Sequence, residues 1–303
     1  MRVFVTGGTG AIGGHAVPAL VAAGHEVTAM ARTEDKAQLL RGQGATPALV
    51  SLFDRDALTA AFAGHDAVVN MASSLPPTER FMLYSAWADC ERIRTEGSAA
   101  VVDAALAAGV GRVVQESVAM LYHDGGAGWI DENWPVEHYR ISAGNHAAEA
   151  SARRFAESGG EAVTLRFGLF YGPGAAHSEQ LMAMARRHIG FRPGRPDGYM
   201  SSIHLADAAG AVVAALRCDP DVYNVVDDQP VTKKENCAAM AAAVGVRPWV
   251  TGPGRLAALV GDRVTSLTRS LRVSNARFRA AANWAPSHPS VWEGYRSMAG
   301  HTG

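Results

Sequence analysis

Short apolar runs alternate with longer stretches of helical spacing through the first half of the chain. Val3-Phe4-Val5 reads as a strand, and Ala16 to Ala23 as a helix that stops at Gly24. Further strands are expected at Glu26–Ala31, Thr46–Val50, Ala67–Met71, Arg112–Ser117 and Ala162–Phe167. Helices are expected between them at Asp56–Phe62, Ser85–Ala108 and Asn145–Ser158, the first two closed by Gly64 and Gly109. Strands separated by helices predict right-handed βαβ units and a parallel sheet. The fold class is therefore α/β, a doubly wound parallel sheet.

From Gly168 the rhythm loosens. Gly/Pro-rich turns at Tyr171–Gly174, Gly190–Gly198 and Gly252–Gly254 separate helices at Ser178–His188, Ala206–Leu216 and Lys234–Val244, with a strand at Val222–Val226. This predicts a first domain over residues 1–167 and a smaller C-terminal α/β lobe over residues 168–303, with chain crossings between them. A lobe packed beyond the C-terminal strand ends would close a substrate cleft. The stretch Leu256–Leu271 reads as an Arg-rich, partly apolar helix that would roof the cleft or join a homodimer.

The first strand runs straight into Thr6-Gly7-Gly8-Thr9-Gly10-Ala11-Ile12-Gly13, and a helix follows. A helix N-terminus offers unpaired N–H groups and a partial positive charge. Glycine keeps that backbone bare enough for a diphosphate to approach. A glycine triplet alone is weak evidence, but here it sits between a strand and a helix with a second strand beyond. Pro18 stands inside the helix and is expected to bend it.

Composition narrows the classes. The 303 residues suit one large domain or two closely joined ones, and the net charge is −1, so no basic surplus favours nucleic acid or an anionic membrane. No apolar run is long enough to span a bilayer, and the N-terminal strand leaves no room for a signal peptide. Cys90, Cys218 and Cys237 show neither metal nor disulfide spacing, which fits a reducing cytoplasm. No metal site is expected.

Arg32-Thr33 follows the second strand, where a carboxylate would bind a ribose 2′-hydroxyl. A guanidinium pairs instead with a 2′-phosphate. Arg32, helped by Thr33 and Lys36, points to NADP(H) rather than NAD(H), while Glu34 and Asp35 pull the other way.

These motifs resemble the extended or atypical short-chain dehydrogenases/reductases, in the branch of NAD(P)-dependent epimerases and dehydratases with a Rossmann fold. The glycine turn resembles their cofactor loop, and Asp66–Ala72 the strand beneath the cofactor ribose. Leu165–Gly174 resembles the stretch beside the nicotinamide, and Ser202–Ala209 a segment that returns the chain from the substrate lobe. Tyr223-Asn224-Val225 and Ser274-Asn275-Ala276 match as well. The resemblance implies a cofactor site made of Gly7, Thr9, Gly10, Ala11, Ile12, Gly13, Arg32, Leu52, Phe53, Met71, Ala72, Ser73, Phe167, Gly168 and Phe170. Leu52 stands where an aspartate commonly caps the adenine, so main-chain groups at Leu52 and Phe53 would serve.

The resemblance also implies acid/base catalysis by a tyrosine, with a lysine four residues on that lowers its pKa and a Ser or Thr that orients the substrate. This chain departs from that pattern. Tyr139 is followed four residues later by Ala143. A second register, anchored on Glu149, puts Asn145 at the lysine position and Ile141 at the tyrosine. No lysine stands between Lys36 and Lys233. If Tyr122 is matched to the tyrosine that follows the usual Ser-rich strand, the catalytic hydroxyl position becomes Val118, with Ser117 on the opposite side of the strand.

The catalytic candidates are therefore Tyr139 as acid/base, Ser117 as orienting group, and Asn145 or His146 in the lysine's place. A neutral histidine can exchange a proton without a lysine. Tyr122, His123, Trp129, His177 and Tyr199 are candidate substrate contacts, and Arg166 and Arg195 candidate anion holders. The expected function is an NADP(H)-dependent oxidoreductase, epimerase or dehydratase acting on a small hydroxylated or carbonyl compound. The alternatives are a non-redox NADP(H)-binding sensor and a cofactor-independent acid/base enzyme on the same fold.

Overall fold

The computed structural model describes residues 1–254, 261 and 263–300. Seven parallel strands form the central sheet: β1 (Arg2–Thr6), β2 (Glu26–Ala31), β3 (Thr46–Leu49), β4 (Ala67–Asn70), β5 (Arg112–Val118), β6 (Glu161–Phe167) and β7 (Val222–Val225). Their order is β7-β6-β5-β4-β1-β2-β3. The order reverses between β1 and β4, and the crevice beyond that switch point is where such sheets bind ligands.

Alternating residues send apolar side chains to both faces of the sheet. Val3, Val5, Val69, Val114 and Leu165 pack toward α1 (Gly13–Ala22) and the helix Leu205–Ala215. Phe4, Val68 and Val113 pack on the other face with Leu58, Phe62, Val101 and Phe155. The first helices start where local chemistry predicts. Thr33 accepts from the Lys36 N–H at 3.3 Å to cap α2 (Glu34–Gly42), and Asp54 accepts from the Ala57 N–H at 3.0 Å to cap α3 (Arg55–Phe62). Pro18 sits within α1.

The helix expected over residues 85–108 differs from expectation. It begins as a 3₁₀ turn at Tyr84–Trp87, continues as Ala88–Arg92, passes through one π-helical segment at Ile93–Gly97 and ends as Ser98–Ala107. The extra residue of a π turn re-aims the side chains around it. Here Arg94 turns into the protein and is 4% exposed. Gly97 leaves room for Leu52, whose side chain a Cβ would strike.

The second lobe carries the helices Ala176–Arg186, Lys233–Ala243 and Val291–Gly300 around Tyr171, Met182, Met240 and Tyr295. Thr232 and Glu235 form a capping box at the start of Lys233–Ala243. The chain crosses between lobes: Leu205–Ala215 packs on α1, and β7 completes the edge of the central sheet. Of the stretch Leu256–Leu271, residues 256–260 and 262 lie outside the described residues, and Thr265–Thr268 is a short helix.

The glycine turn depends on missing side chains. Gly7 has φ +70°, and a Cβ on it would strike the Met71 carbonyl, while one on Gly13 would strike the Gly7 carbonyl. Gly13→Ala is expected to cost about 1–3 kcal/mol through overpacking. Urea unfolding should show a lower midpoint; an unchanged midpoint would mean that the turn has slack.

Candidate functional site

The turn from Gly7 to Gly13 lies at the C-terminal end of β1, directly at the switch point. Gly10 and Ala11 are exposed, and Thr9 is half-buried. No side chain caps α1, and its first turn carries no acidic residue. The end of the helix is thus bare of competing groups, and its N–H groups and dipole face the crevice. These features fit a dinucleotide diphosphate. Ile12 and Gly13 are buried and anchor the turn from behind.

Arg32 is exposed just past β2 and makes no ion pair among the described residues. Its acidic neighbour Glu34 is taken by Arg41 at 2.6 Å. Leu52 buries its side chain in the core, and Phe53 lies under the Arg92 guanidinium at 4.1 Å. The Phe53 N–H already donates to Ser51 Oγ at 3.2 Å. Met71 is buried below the cradle, Ala72 is half-buried and Ser73 exposed. On the far side, Phe167 is a core residue, Phe170 tilts against it at 5.2 Å, and the Gly168 N–H donates to the Val225 carbonyl at 3.0 Å.

The four catalytic candidates do not converge: among the described residues no hydrogen bond joins any two of them. The Tyr139 hydroxyl donates to the Met120 carbonyl at 3.1 Å. Burial pushes its pKa up to about 12, against the lowering effect of Arg269, whose guanidinium lies 4.8 Å from the ring centre. Ser117 is fully buried and donates to Glu149 Oε1 at 2.6 Å, inside the protein rather than toward the cleft. Val118, next along the strand, is the partly exposed one. Asn145 accepts through Oδ1 from Arg94. His146 stacks on His138 at 3.8 Å, and its Nε2 faces the Glu137 carbonyl at 3.0 Å. Burial lowers the His146 pKa.

Sequence reasoning missed the group that reaches the lysine position. Arg94 contacts both oxygens of Glu116, at 2.9 and 3.0 Å, as well as Asn145. Cys90, Arg94 and Ser98 recur every four residues and are all buried. That spacing was the available signal, because an arginine on an inner helix face needs a partner. A second buried cluster lies beside the first. Arg166 donates to both Glu149 oxygens, at 2.8 and 2.7 Å, and to the Tyr122 hydroxyl at 2.9 Å. Tyr122 in turn donates to Asn224 Oδ1 at 2.8 Å.

This network leaves Tyr122 with no exposed surface for a substrate. His123 faces Glu137 at 3.2 Å. Trp129 is 50% exposed, and Arg272 lies over both its ring and that of Tyr199, at 4.2 and 4.8 Å. His177 points Nε2 at the Phe170 carbonyl at 2.6 Å. Arg195 pairs with Asp197 at 2.8 Å. No metal site was expected, yet His204, Asp207 and His288 bring ligand-type atoms within 4.8 Å of one another. The Asp207 carboxylate already accepts from the Ser287 N–H at 2.7 Å, the Ser287 hydroxyl and the His288 N–H at 3.0 Å, so it serves as a clamp on that loop.

The profile of the NAD(P)H-binding family matches residues 7–219, from the glycine turn nearly to β7. The chain belongs to this family. Its relatives extend the assignment over the whole length. A 3-diazoavenalumate denitrifying reductase from a Streptomyces species is 33% identical over 97% of this chain and 99% of the relative. A 4-hydroxy-2-methyl-3-oxo-4-farnesyl-3,4-dihydroquinoline-1-oxide ketoreductase from Stigmatella aurantiaca is 29% identical over 89% of this chain and 82% of its own. The crystal structure of human epimerase family protein SDR39U1 with NADPH superimposes with a TM-score of 0.81 at 25% identity, covering 99% of both chains. This NAD(P)H-binding protein is thus a member of the short-chain dehydrogenase/reductase superfamily, on the epimerase/dehydratase branch with its atypical members. Among the described residues, no helix is long and apolar enough to cross a membrane.

The Arg166–Glu149 pair makes a testable contribution to stability. Burial would raise the Glu149 pKa, but hydrogen bonds and charge from Arg166 outweigh it and hold the carboxyl below its usual range. A group depressed in the folded state stabilises above its unfolded pKa and loses that effect as pH falls through the folded value. Urea unfolding of this family member should therefore weaken below the usual carboxylate pKa. Glu149→Gln should be less stable at neutral pH and show a flatter acid limb; an identical acid limb would remove Glu149 from the account.

Proposed function

We propose that this protein is an NADPH-dependent reductase whose substrate accepts hydride without a proton from a tyrosine, and that an aromatic diazo group is the class that fits. The observation that carries this reading is the state of the expected proton relay. The Tyr139 hydroxyl is bonded to a main-chain carbonyl with its pKa pushed up to about 12, and the lysine position holds an asparagine already engaged by Arg94.

When bound, the nicotinamide supplies hydride. Reduction of a carbonyl turns its oxygen into an alkoxide that demands a proton, the step a general acid accelerates. An arenediazonium carries its positive charge from the start. Its terminal nitrogen takes the hydride and an N–H bond forms, giving a neutral diazene. The C–N bond then breaks, dinitrogen leaves, and the ring carbon keeps the electron pair and gains the proton. The sum is one diazo arene and one NADPH consumed, with one arene, one dinitrogen and one NADP⁺ formed. The name of the Streptomyces relative, a denitrifying reductase of a diazo compound, supports this reading.

The chain's own residues do three things here. The bare turn from Gly7 to Gly13 holds the diphosphate, and Arg32 pairs with a 2′-phosphate. Phe170, backed by the buried Phe167, walls the nicotinamide side and excludes water. The unpaired state of Arg32 and the diversion of Glu34 to Arg41 support NADPH over NADH.

The deciding assay measures dinitrogen and NADPH oxidation with an arenediazonium probe that has no acidic hydroxyl, expected in equal amounts. Turnover of ketones with none of the arenediazonium would sink the diazo assignment. NADPH binding without turnover of either would favour the sensor reading. Tyr139→Phe should leave diazo turnover nearly intact; a fall of roughly 10²-fold, the scale of a lost general acid, would restore the tyrosine to the chemistry. Arg32→Ala should weaken NADPH about tenfold or more, on the scale of a charge-assisted contact, with NADH little affected. Equal losses for the two cofactors would contradict the 2′-phosphate role.

A further inference from the structure

Among the described residues, the large apolar side chains that the second lobe exposes stand together: Trp249, which is 80% exposed, Val250, which is 64% exposed, Ile189 and Phe191. Two short strands present them. Ile189–Pro193 and Val250–Gly254 pair in parallel, with Ile189 opposite Val250. Side chains alternate along a strand. A Cβ on Gly190 would strike the sulfur of the buried Cys237, so Gly190 faces inward and Ile189, Phe191 and Val250 share the outer face. Trp249 stands at the entry to this ribbon. Its ring stacks on His188 at 3.9 Å, its N–H donates to the His188 carbonyl at 2.8 Å, and His188 Nδ1 meets the Arg247 carbonyl at 2.8 Å. The indole is thereby fixed in an outward position.

Positive charge is segregated to the same place. Residues 180–196 and 236–254 contain Arg186, Arg187, Arg192, Arg195 and Arg247 and no Asp or Glu. Arg187 and Arg247 are exposed beside the His188–Trp249 stack, and Arg192 follows Phe191. Arg195 pairs with Asp197, whereas among the described residues Arg187, Arg192 and Arg247 form no ion pair. The net charge of −1 for the whole chain thus hides a local surplus. The expectation of no anionic membrane partner, drawn from that net charge, does not extend to this face.

An exposed apolar patch with a polar rim marks an interaction surface, and its chemistry selects the occupant. A second copy seated here about a two-fold axis would set the same patch against itself, arginine against arginine. Single-stranded nucleic acid stacks its bases on aromatic faces, but Ile189 and Val250 are aliphatic and one face of Trp249 is covered by His188. A lipid surface takes all of these groups: indole and aliphatic side chains enter the boundary below the headgroups, and arginines meet the anionic headgroups. We propose that this face docks on a membrane surface rich in anionic lipid, with Trp249, Val250, Ile189 and Phe191 entering the boundary and Arg187, Arg192 and Arg247 on the headgroup phosphates. The contact is peripheral and is independent of the reductase reading.

Sedimentation of the whole protein with vesicles tests it, comparing phosphatidylcholine alone with vesicles in which about a third of the lipid is phosphatidylglycerol. The protein should bind the anionic vesicles more tightly, and high salt should weaken that preference. Arg187→Gln/Arg247→Gln should bind them roughly 20-fold more weakly, about fivefold for each arginine, while Arg187→Lys/Arg247→Lys keeps most of the binding. Trp249→Ser/Val250→Ser should weaken binding in low and high salt alike. Urea midpoints equal to that of the parent protein show that each variant is folded. No binding to the anionic vesicles in low salt, equal binding to both vesicle types, or undiminished binding by either the Gln or the Ser variant would overturn the proposal. Tighter binding to polyglutamate or to an oligonucleotide than to the vesicles would overturn it in favour of an acidic macromolecule. A dimer that dissociates in the Ser variant would overturn it in favour of a second copy.

Discussion

Two buried arginine–carboxylate pairs, Arg94–Glu116 and Arg166–Glu149, tie together the reacting end of this protein. Their four partners come from the π-helical segment, β5, β6 and the helix that starts at Ala143. Burying a charge costs several kcal/mol unless it is paired and its remaining hydrogen-bonding positions are filled. The Arg166–Glu149 pair meets that condition, with Tyr122 as a further partner; Arg94 reaches both oxygens of Glu116 and also Asn145, but its Nε finds no partner among the described residues and burial still raises the Glu116 pKa. Removing one partner would strand the other, so these side chains are held to their places. The polar groups they recruit are committed to the scaffold. Ser117, Tyr122 and Asn145 each complete one of these two clusters.

This is also why the fold was far more legible in the sequence than the site. The strands of the central sheet lie within a residue or so of the positions set by the apolar runs, and the glycine turn stands where strand gives way to helix. Those signals are local. The π-helical segment is not: it depends on Arg94 finding Glu116 across 22 residues and on Leu52 approaching Gly97. Read alone, residues 85–108 look like an uninterrupted helix. Tyr122 shows the same limit. Matching it to a family position located it in the chain, but only the Arg166 guanidinium, 44 residues away, shows that its hydroxyl is spent. The strand alternation set Ser117 opposite Val118, yet Ser117 stayed the orienting candidate, because its bond to Glu149, 32 residues away, leaves no local signal.

The arginine pairs have an electrostatic consequence for the cleft. A lysine at the position of Asn145 would bring a net cation to the substrate. Arg94 does reach that position, but it arrives together with Glu116, so the cluster is neutral. That neutral cluster supplies no net cation, and burial pushes the Tyr139 pKa up to about 12 against the lowering effect of Arg269.

Ile141 and Val118 stand at the expected tyrosine and serine positions and put apolar side chains there. An apolar wall would penalise an alkoxide forming against it, since no donor stands ready to stabilise that charge. It carries no such penalty for a cation that becomes neutral on receiving hydride, because charge is removed during the step. On the proposed reading, the same neutral cluster favours electrophiles whose charge disappears as they are reduced.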